Sequence, residues 1–232
     1  MWSMLPTSLN YYLHYPTPVE GCYSEDHTRS YKPHVLLNLV SLAQRYQLVA
    51  ILPLLHYCIA QWPVDWITYG VPPSFMGFDP PFNNSCLRLP PDLVYTIIAG
   101  REKLIRMRET WVFNFMEAFT SNGTAVDIPI EGCDGERRQG ETCFKWLMQV
   151  WFHMGRFGFI ARPAALDIMN MNQWAYFKEN CCKACARRAI SHMLIGRDDV
   201  WDALPSVFGY HDWTDVIERQ RKVEEAFETV IS

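Results

Sequence analysis

The sequence predicts an all-α protein, and three observations carry the prediction. Apolar residues recur at helical i, i+3, i+4, i+7 spacing in segment after segment of the 232 residues. The period-two alternation of a half-buried strand is nearly absent. Proline and acidic residues stand where helices would begin, as at Pro90-Pro91-Asp92 and between Asp212 and Asp215. No repeat of fixed period is present.

Over residues 34–46, HVLLNLVSLAQRY, Leu36, Leu39, Val40 and Ala43 fall on one helical stripe. After Gln47 a second stripe starts with Leu48, Ile51, Leu52, Leu55 and Ile59, and it ends at Trp62 before Pro63. Pro53 lies inside this run. A helix beginning near Val49 would place Pro53 in its first turn, where backbone N–H groups have no intrahelical partner to lose. The two stripes therefore predict a helical hairpin turning at Tyr46-Gln47-Leu48.

Residues 63–91 hold seven prolines, two glycines and Asn83-Asn84, a composition that opposes regular structure and predicts a long connection. The expected organisation is a helical segment over 1–62, this proline-rich connection over 63–91, and a C-terminal α-helical domain over 92–232. Pro90-Pro91-Asp92 opens a helix with Ile97, Leu104 and Trp111 on one face, joined by Ile98, Val112, Phe115 and Phe119. That pattern predicts one rod to about residue 120, ~40 Å long at 1.5 Å per residue. Residues 121–142 are rich in Gly, Asp and Glu and read as an exposed loop. Further helices are expected over 143–160, over 163–179 from Pro163, over 180–196 and over 213–228. The last would be capped by Asp212, with Asp215 completing an acidic capping box. Its Trp213, Val216, Ile217, Val223 and Phe227 oppose a mixed-charge face, which reads as solvated surface.

Composition bounds the function. A chain that is 49% hydrophobic, with 13 Phe, 11 Tyr and 9 Trp, has ample material for a core. The net charge of −4 and scattered basic pairs such as Arg137-Arg138 and Arg187-Arg188 lack the concentrated positive face that nucleic acid requires. Apolar runs such as LVAILPLL fall far short of the ~20 residues of a membrane span. The opening MWSMLPTSLNYYLHYP has none of the organisation of a secretory leader, so a cytoplasmic or nuclear location is expected. In that reducing setting the eight cysteines should be free thiols or metal ligands, and Asn83-Asn84-Ser85 and Asn122-Gly123-Thr124 chance glycosylation tripeptides.

Cys181-Cys182-Lys183-Ala184-Cys185 contains one C-x-x-C, and Cys133 and Cys143 could complete four thiolates of the kind zinc takes tetrahedrally. Buried thiols acting as small hydrophobes are the competing reading. A zinc-stabilised regulatory domain using Cys133, Cys143, Cys182 and Cys185 is thus the alternative reading of function; the sequence itself assigns no metal ligand, no cofactor and no catalytic residue. Cys185 and His192 share a helical face, but two turns separate them by ~10 Å, beyond hydrogen-bond reach. Gly155-Arg156-Phe157-Gly158 lacks the lysine of a phosphate cradle and predicts a helix C-terminus. Trp146, Trp151, Phe152, Phe157 and Phe159 read as core, and His34, His56 and His153 as hydrogen-bonded helix histidines.

Leu42-Ala43-x-x-Tyr46-x-Leu48-x-x-Ile51-Leu52 resembles the signature of BTB/POZ domains, where it spans two late helices. Leu9-Asn10-Tyr11-Tyr12-Leu13-His14-Tyr15-Pro16 resembles the element that precedes it. Downstream, Pro90-Pro91-Asp92-Leu93, Gly100-Arg101-Glu102 and Val200-Trp201-Asp202-Ala203-Leu204-Pro205 through Trp213 are similar to the C-terminal region of BTB proteins expanded in mushroom-forming fungi. The resemblance implies a non-catalytic protein-interaction module, an adaptor or scaffold whose protein partners include cullin-type ubiquitin ligase components. It implies neither nucleic acid nor membrane as partner. The opening strand, the long interface helix and the Asp-x-x-Phe-x-Val-His-Arg-like segment of such domains do not occur before residue 1. Only the late helical part is expected, and Leu36, Leu39 and Leu55 then need cover from the C-terminal half.

Overall fold

The computed structural model describes residues 33–72, 88–115, 133, 143–156, 158, 160–166 and 181–231. Among these residues the fold is all-α, with seven α-helices and no strand. The chain groups into two compact units, Met1–Lys103 with Asp202–Ser232, and Leu104–Trp201. The first unit thus joins residues from both sides of the proline-rich stretch.

In the first unit, α1 (Pro33–Arg45) and α2 (Leu52–Ala60) form the hairpin, joined through a 3-10 turn at Val49–Ile51. Leu36, Val40 and Ala43 of α1 are buried, as are Leu52, Leu55 and Ile59 of α2. α1 stops because Gln47 turns left-handed, with φ 53°. The Leu48 N–H then donates to the Ala43 carbonyl at 2.7 Å and the Gln47 N–H to the Gln44 carbonyl at 3.3 Å. This paired closure satisfies two of the carbonyls that a helix end leaves free. Pro53 stands at the start of α2, where no donor is lost. At the other end of α2, the Arg101 guanidinium donates to the carbonyls of Ala60 at 2.5 Å and Trp62 at 2.9 Å. A cation thereby meets the negative end of the helix.

Regular structure continues into the expected connection. Pro63 caps α3 (Val64–Tyr69), its carbonyl accepting from the N–H groups of Trp66 at 3.0 Å and Ile67 at 3.2 Å. Proline opposes helix only in the interior, so Pro63 on the threshold starts one, and Ile67 anchors it in the core.

Where Pro90-Pro91-Asp92 predicts a helix start, α4 (Pro91–Met107) begins, with Leu93, Ile97 and Leu104 buried. It does not run on to residue 120. After Met107 the chain widens into a π turn, Arg108–Val112, in which the Phe113 N–H donates to the Arg108 carbonyl at 2.9 Å. The extra residue shifts the helical register, and Val112, Phe113 and Phe115 all become buried while Trp111 stays partly exposed. The same turn buries Arg108, which donates to the Ala164 carbonyl and holds its guanidinium 4.6 Å from the Phe113 ring centre. Residues 116–120 lie outside the described residues.

In the second unit, α5 (Cys143–Arg156) ends earlier than the expected residue 160, because Gly158 adopts φ 65° and its N–H donates to the Gly155 carbonyl at 3.0 Å. The Gly155 to Gly158 run is therefore a helix terminus, as its composition predicts. Pro163 opens a turn and not a helix, since the Ala165 N–H already closes on the Pro163 carbonyl at 2.8 Å. Residues 167–179 of that predicted helix lie outside the described residues.

The helix expected over 180–196 is the longer α6 (Lys183–Val207), its last residues from Asp202 belonging to the first unit. Pro205 lies inside its final turn, where it removes one i→i−4 donor, and the helix stops two residues later. Gly209, at φ 90°, closes that end, with the Tyr210 N–H on the Pro205 carbonyl at 3.0 Å. The predicted acidic cap then starts α7 (Trp213–Ile231): the Asp215 N–H donates to Asp212 Oδ1 at 2.7 Å, and the His211 N–H to Asp215 Oδ2 at 3.4 Å. α7 packs on the 3-10 turn of the hairpin through buried Val216 and Gln220. Gln220 Oε1 accepts from the Ala50 N–H at 3.5 Å, so the C-terminal helix covers the turn of the hairpin. The outer face carries Arg219–Asp215, Arg221–Glu225 and Lys222–Glu218 pairs and is solvated, as its charge pattern predicts. Among the described residues no helix is long and apolar enough to cross a membrane.

Candidate metal centre

Cysteines at positions 133, 143, 182 and 185 converge in the second unit, and each arrives from a distinct local structure. Cys143 is the first residue of α5. Cys182 immediately precedes α6 and Cys185 lies in its first turn. A spacing of three residues is close to one helical turn, so a C-x-x-C across a helix start turns both sulfurs to one side. Cys133 comes from outside any helix. The four sulfurs all lie within 4.8 Å of one another. Those of Cys133 and Cys182 are 3.8 Å apart.

That spacing has a simple geometric meaning. Zinc binds thiolate sulfur at ~2.3 Å with tetrahedral geometry, and a tetrahedron of that radius has edges of about 3.8 Å. The Cys133–Cys182 separation equals that edge, and the remaining sulfur pairs lie within 4.8 Å. A cluster with several irons and its own sulfides would hold the cysteine sulfurs farther apart.

Backbone donors prepare the cage for negative sulfur. The first N–H groups of a helix have no intrahelical partner. At α6 they serve the cysteines: the Cys185 N–H donates to Cys182 Sγ at 3.4 Å, and the Cys182 N–H to Cys143 Sγ at 3.5 Å. Cys143 and Cys185 are buried, whereas Cys133 and Cys182 are half-buried. The Cys185 thiol is pushed far above its ordinary value. Burial is the largest cause, followed by its hydrogen bonds with Cys182 and Cys133 and by the charges of Cys143 and Cys182. Four thiolates in so small a volume repel one another strongly, and a divalent cation at their centre reverses the sign of that interaction.

The structure thus brings together all four cysteines that the sequence marks as a potential zinc set. Cys181 is buried next to them but outside the group, and Cys58 belongs to the other unit. His192, half-buried two turns beyond Cys185, is not part of the group. The aromatic set divides: Trp146 is buried, Trp151 donates its indole N–H to the Phe113 carbonyl at 3.1 Å, and Phe152 is exposed. Phe157 and Phe159 lie outside the described residues.

One expectation about histidine is corrected. His56 is buried in the first unit, packed edge-on against the Phe208 ring at 5.5 Å, and neither ring nitrogen has a hydrogen-bond partner among the described residues. Burial lowers its pKa to about 4, so the ring is neutral at physiological pH. Nothing in the local sequence signals this, because the neighbour that shuts out water comes from far along the chain. The backbone donors to the sulfurs are equally invisible in the sequence, since every residue carries an N–H. Comparison of the chain with protein-family models, with curated proteins and with solved structures gives no match.

Proposed function

We propose that this chain is a non-catalytic helical protein whose second unit is held by one zinc ion bound to Cys133, Cys143, Cys182 and Cys185, and which acts by binding other proteins. The observation that carries the reading is the convergence of four sulfurs within 4.8 Å from three separate places in the chain. Tetrahedral all-sulfur ligation suits zinc, and magnesium and calcium are excluded by their need for oxygen. Four protein ligands fill the tetrahedron, so the ion has no open position for a substrate and its role is structural. Elemental analysis of protein purified from zinc-supplemented cells should find about one zinc per chain. Chelation should then remove it with loss of helical signal. Protein that contains no zinc and folds equally well in chelator would remove the proposal.

A BTB/POZ-like adaptor role is the reading of the first unit, with protein partners that include cullin-type ubiquitin ligase components. It is supported by the helix-turn-helix formed over Leu42 to Leu52, which leaves Leu42 on α1 and Tyr46 in the turn just after it exposed, at 46% and 52%. Exposed apolar side chains at i, i+4 suit a protein contact. The reading predicts that purified cullin retains the protein and that Tyr46→Ala weakens retention; no retention at micromolar concentrations would refute it. Free thiols and a zinc thiolate centre both suit the reducing cytoplasm or nucleus.

A further inference from the structure

The four sulfurs of the centre are not equivalent. As whole residues, Cys143 and Cys185 are 2% and 0% exposed, while Cys133 and Cys182 are half-buried. The sulfurs of the two half-buried cysteines are also in contact, 3.8 Å apart, although 49 residues separate them in the chain. Cys133 lies outside any helix, and Cys182 stands at the threshold of α6 and not within it.

We propose that Cys133 and Cys182 form a peroxide-oxidisable pair through which the centre releases its metal, an inference that rests on the zinc reading of the four cysteines. The Cys182 thiolate attacks one oxygen of hydrogen peroxide, the O–O bond breaks, and the products are a sulfenic acid and hydroxide. The Cys133 thiolate then attacks the Cys182 sulfur, the S–O bond breaks, and a second hydroxide leaves as the disulfide forms. Two thiolates lose two electrons in all, and peroxide takes them up to become two hydroxides. A disulfide is ~2.05 Å long, so the sulfurs close up by about 1.8 Å, a movement within reach of side-chain torsions. Zinc is left on Cys143 and Cys185 alone. Two ligands cannot hold it against a competing chelator, and the ion departs. A dithiol reductant returns both thiolates and restores the site when zinc is supplied.

The buried pair decides the direction of the chemistry. Peroxide cannot approach Cys143 or Cys185 without local opening, so oxidation starts at the surface and stops at one disulfide. Cys181 is adjacent in sequence but 7% exposed, and it is a bystander.

The test uses the zinc-loaded full-length chain and its Cys181→Ala variant, in which Cys182 is the only thiol of its tryptic peptide. Hydrogen peroxide is added in the presence of a colorimetric zinc chelator, and thiols and disulfides are mapped peptide by peptide without reduction. The expected result, in both proteins, is release of about one zinc for every Cys133–Cys182 disulfide formed, reversed by dithiothreitol and added zinc. Zinc retained while peroxide oxidises other thiols would overturn this inference and leave the zinc centre standing. Release with a disulfide to Cys143, Cys181 or Cys185 would overturn it as well. A protein that purifies without zinc and takes none up would overturn the underlying reading, and this inference with it.

Discussion

Replacing His56 by leucine is expected to stabilise the protein at neutral pH and to remove an acid-dependent loss of stability. The ring is buried with both nitrogens unpartnered, and its pKa falls from 6.5 to about 4 on folding. Between those values the unfolded chain binds a proton that the folded chain refuses. The stability contributed by a neutral His56 is therefore intact above pH 6.5 and is lost as pH falls toward 4. A gap of this size corresponds to roughly 3 kcal/mol in full, of which about 2 kcal/mol is already lost at pH 5. At pH 7.5 leucine removes the desolvation penalty of the ring nitrogens, ~1–3 kcal/mol, and forfeits an edge-on aromatic contact with Phe208 of ~0.5–1.5 kcal/mol. The net expectation is a gain of about 1 kcal/mol. Urea unfolding of the wild type and His56→Leu at pH 7.5 and pH 5.0 measures both quantities. Thiol protonation at the metal centre affects the two proteins alike and cancels in the difference. The advantage of the variant should grow by about 2 kcal/mol on acidification. An advantage that stays constant between the two pH values would refute the reasoning.

Gln47→Gly should raise stability by about 0.5–1 kcal/mol in thermal or urea unfolding, because a left-handed residue with a Cβ costs ~1–2 kcal/mol and glycine returns part of that as chain entropy. A drop in stability would mean that the turn is held differently. Gly196→Ala should cost about 2–3 kcal/mol, since the added Cβ would stand 2.9 Å from the Val112 backbone nitrogen and closer still to the Trp111 carbonyl. Gly155→Ala is the matched control: the nearest atom, Ile160 Cδ1, is 4.0 Å away, and the better helix former should be neutral or stabilising by up to about 1 kcal/mol. Equal effects at the two glycines would contradict the close approach of backbone to backbone at Gly196. Arg101→Met keeps the stem and removes the donors to Ala60 and Trp62, with an expected cost of about 1–2 kcal/mol by urea unfolding and faster amide exchange at the end of α2.

The hairpin was legible because its signals are local. The interrupted apolar stripe and the place of Pro53 together leave one arrangement that wastes no donor. The Asp212 cap and the glycine end of α5 were readable for the same reason, each being a property of three or four neighbouring residues. What escaped is tertiary in origin. The π turn at Arg108 exists because its guanidinium meets Phe113 and the distant Ala164 carbonyl, and a helical stripe running to residue 120 contains no hint of that. The α3 helix was hidden by a composition count that treated prolines as breakers wherever they stand, although Pro63 sits where a helix can begin. At the candidate site, the C-x-x-C announced Cys182 and Cys185. Cys133 and Cys143 could be named from their residue type alone, and only the fold shows that the four meet while the equally available Cys181 and Cys58 do not join them. The unequal burial of the four sulfurs also depends on packing, and no spacing rule encodes it.

X-ray absorption at the zinc edge on the purified protein tests the central claim most directly. The expected spectrum is fitted by four sulfurs at ~2.3 Å with no nitrogen or oxygen ligand. A spectrum that requires nitrogen or oxygen neighbours, or protein that binds no zinc at all, would contradict it.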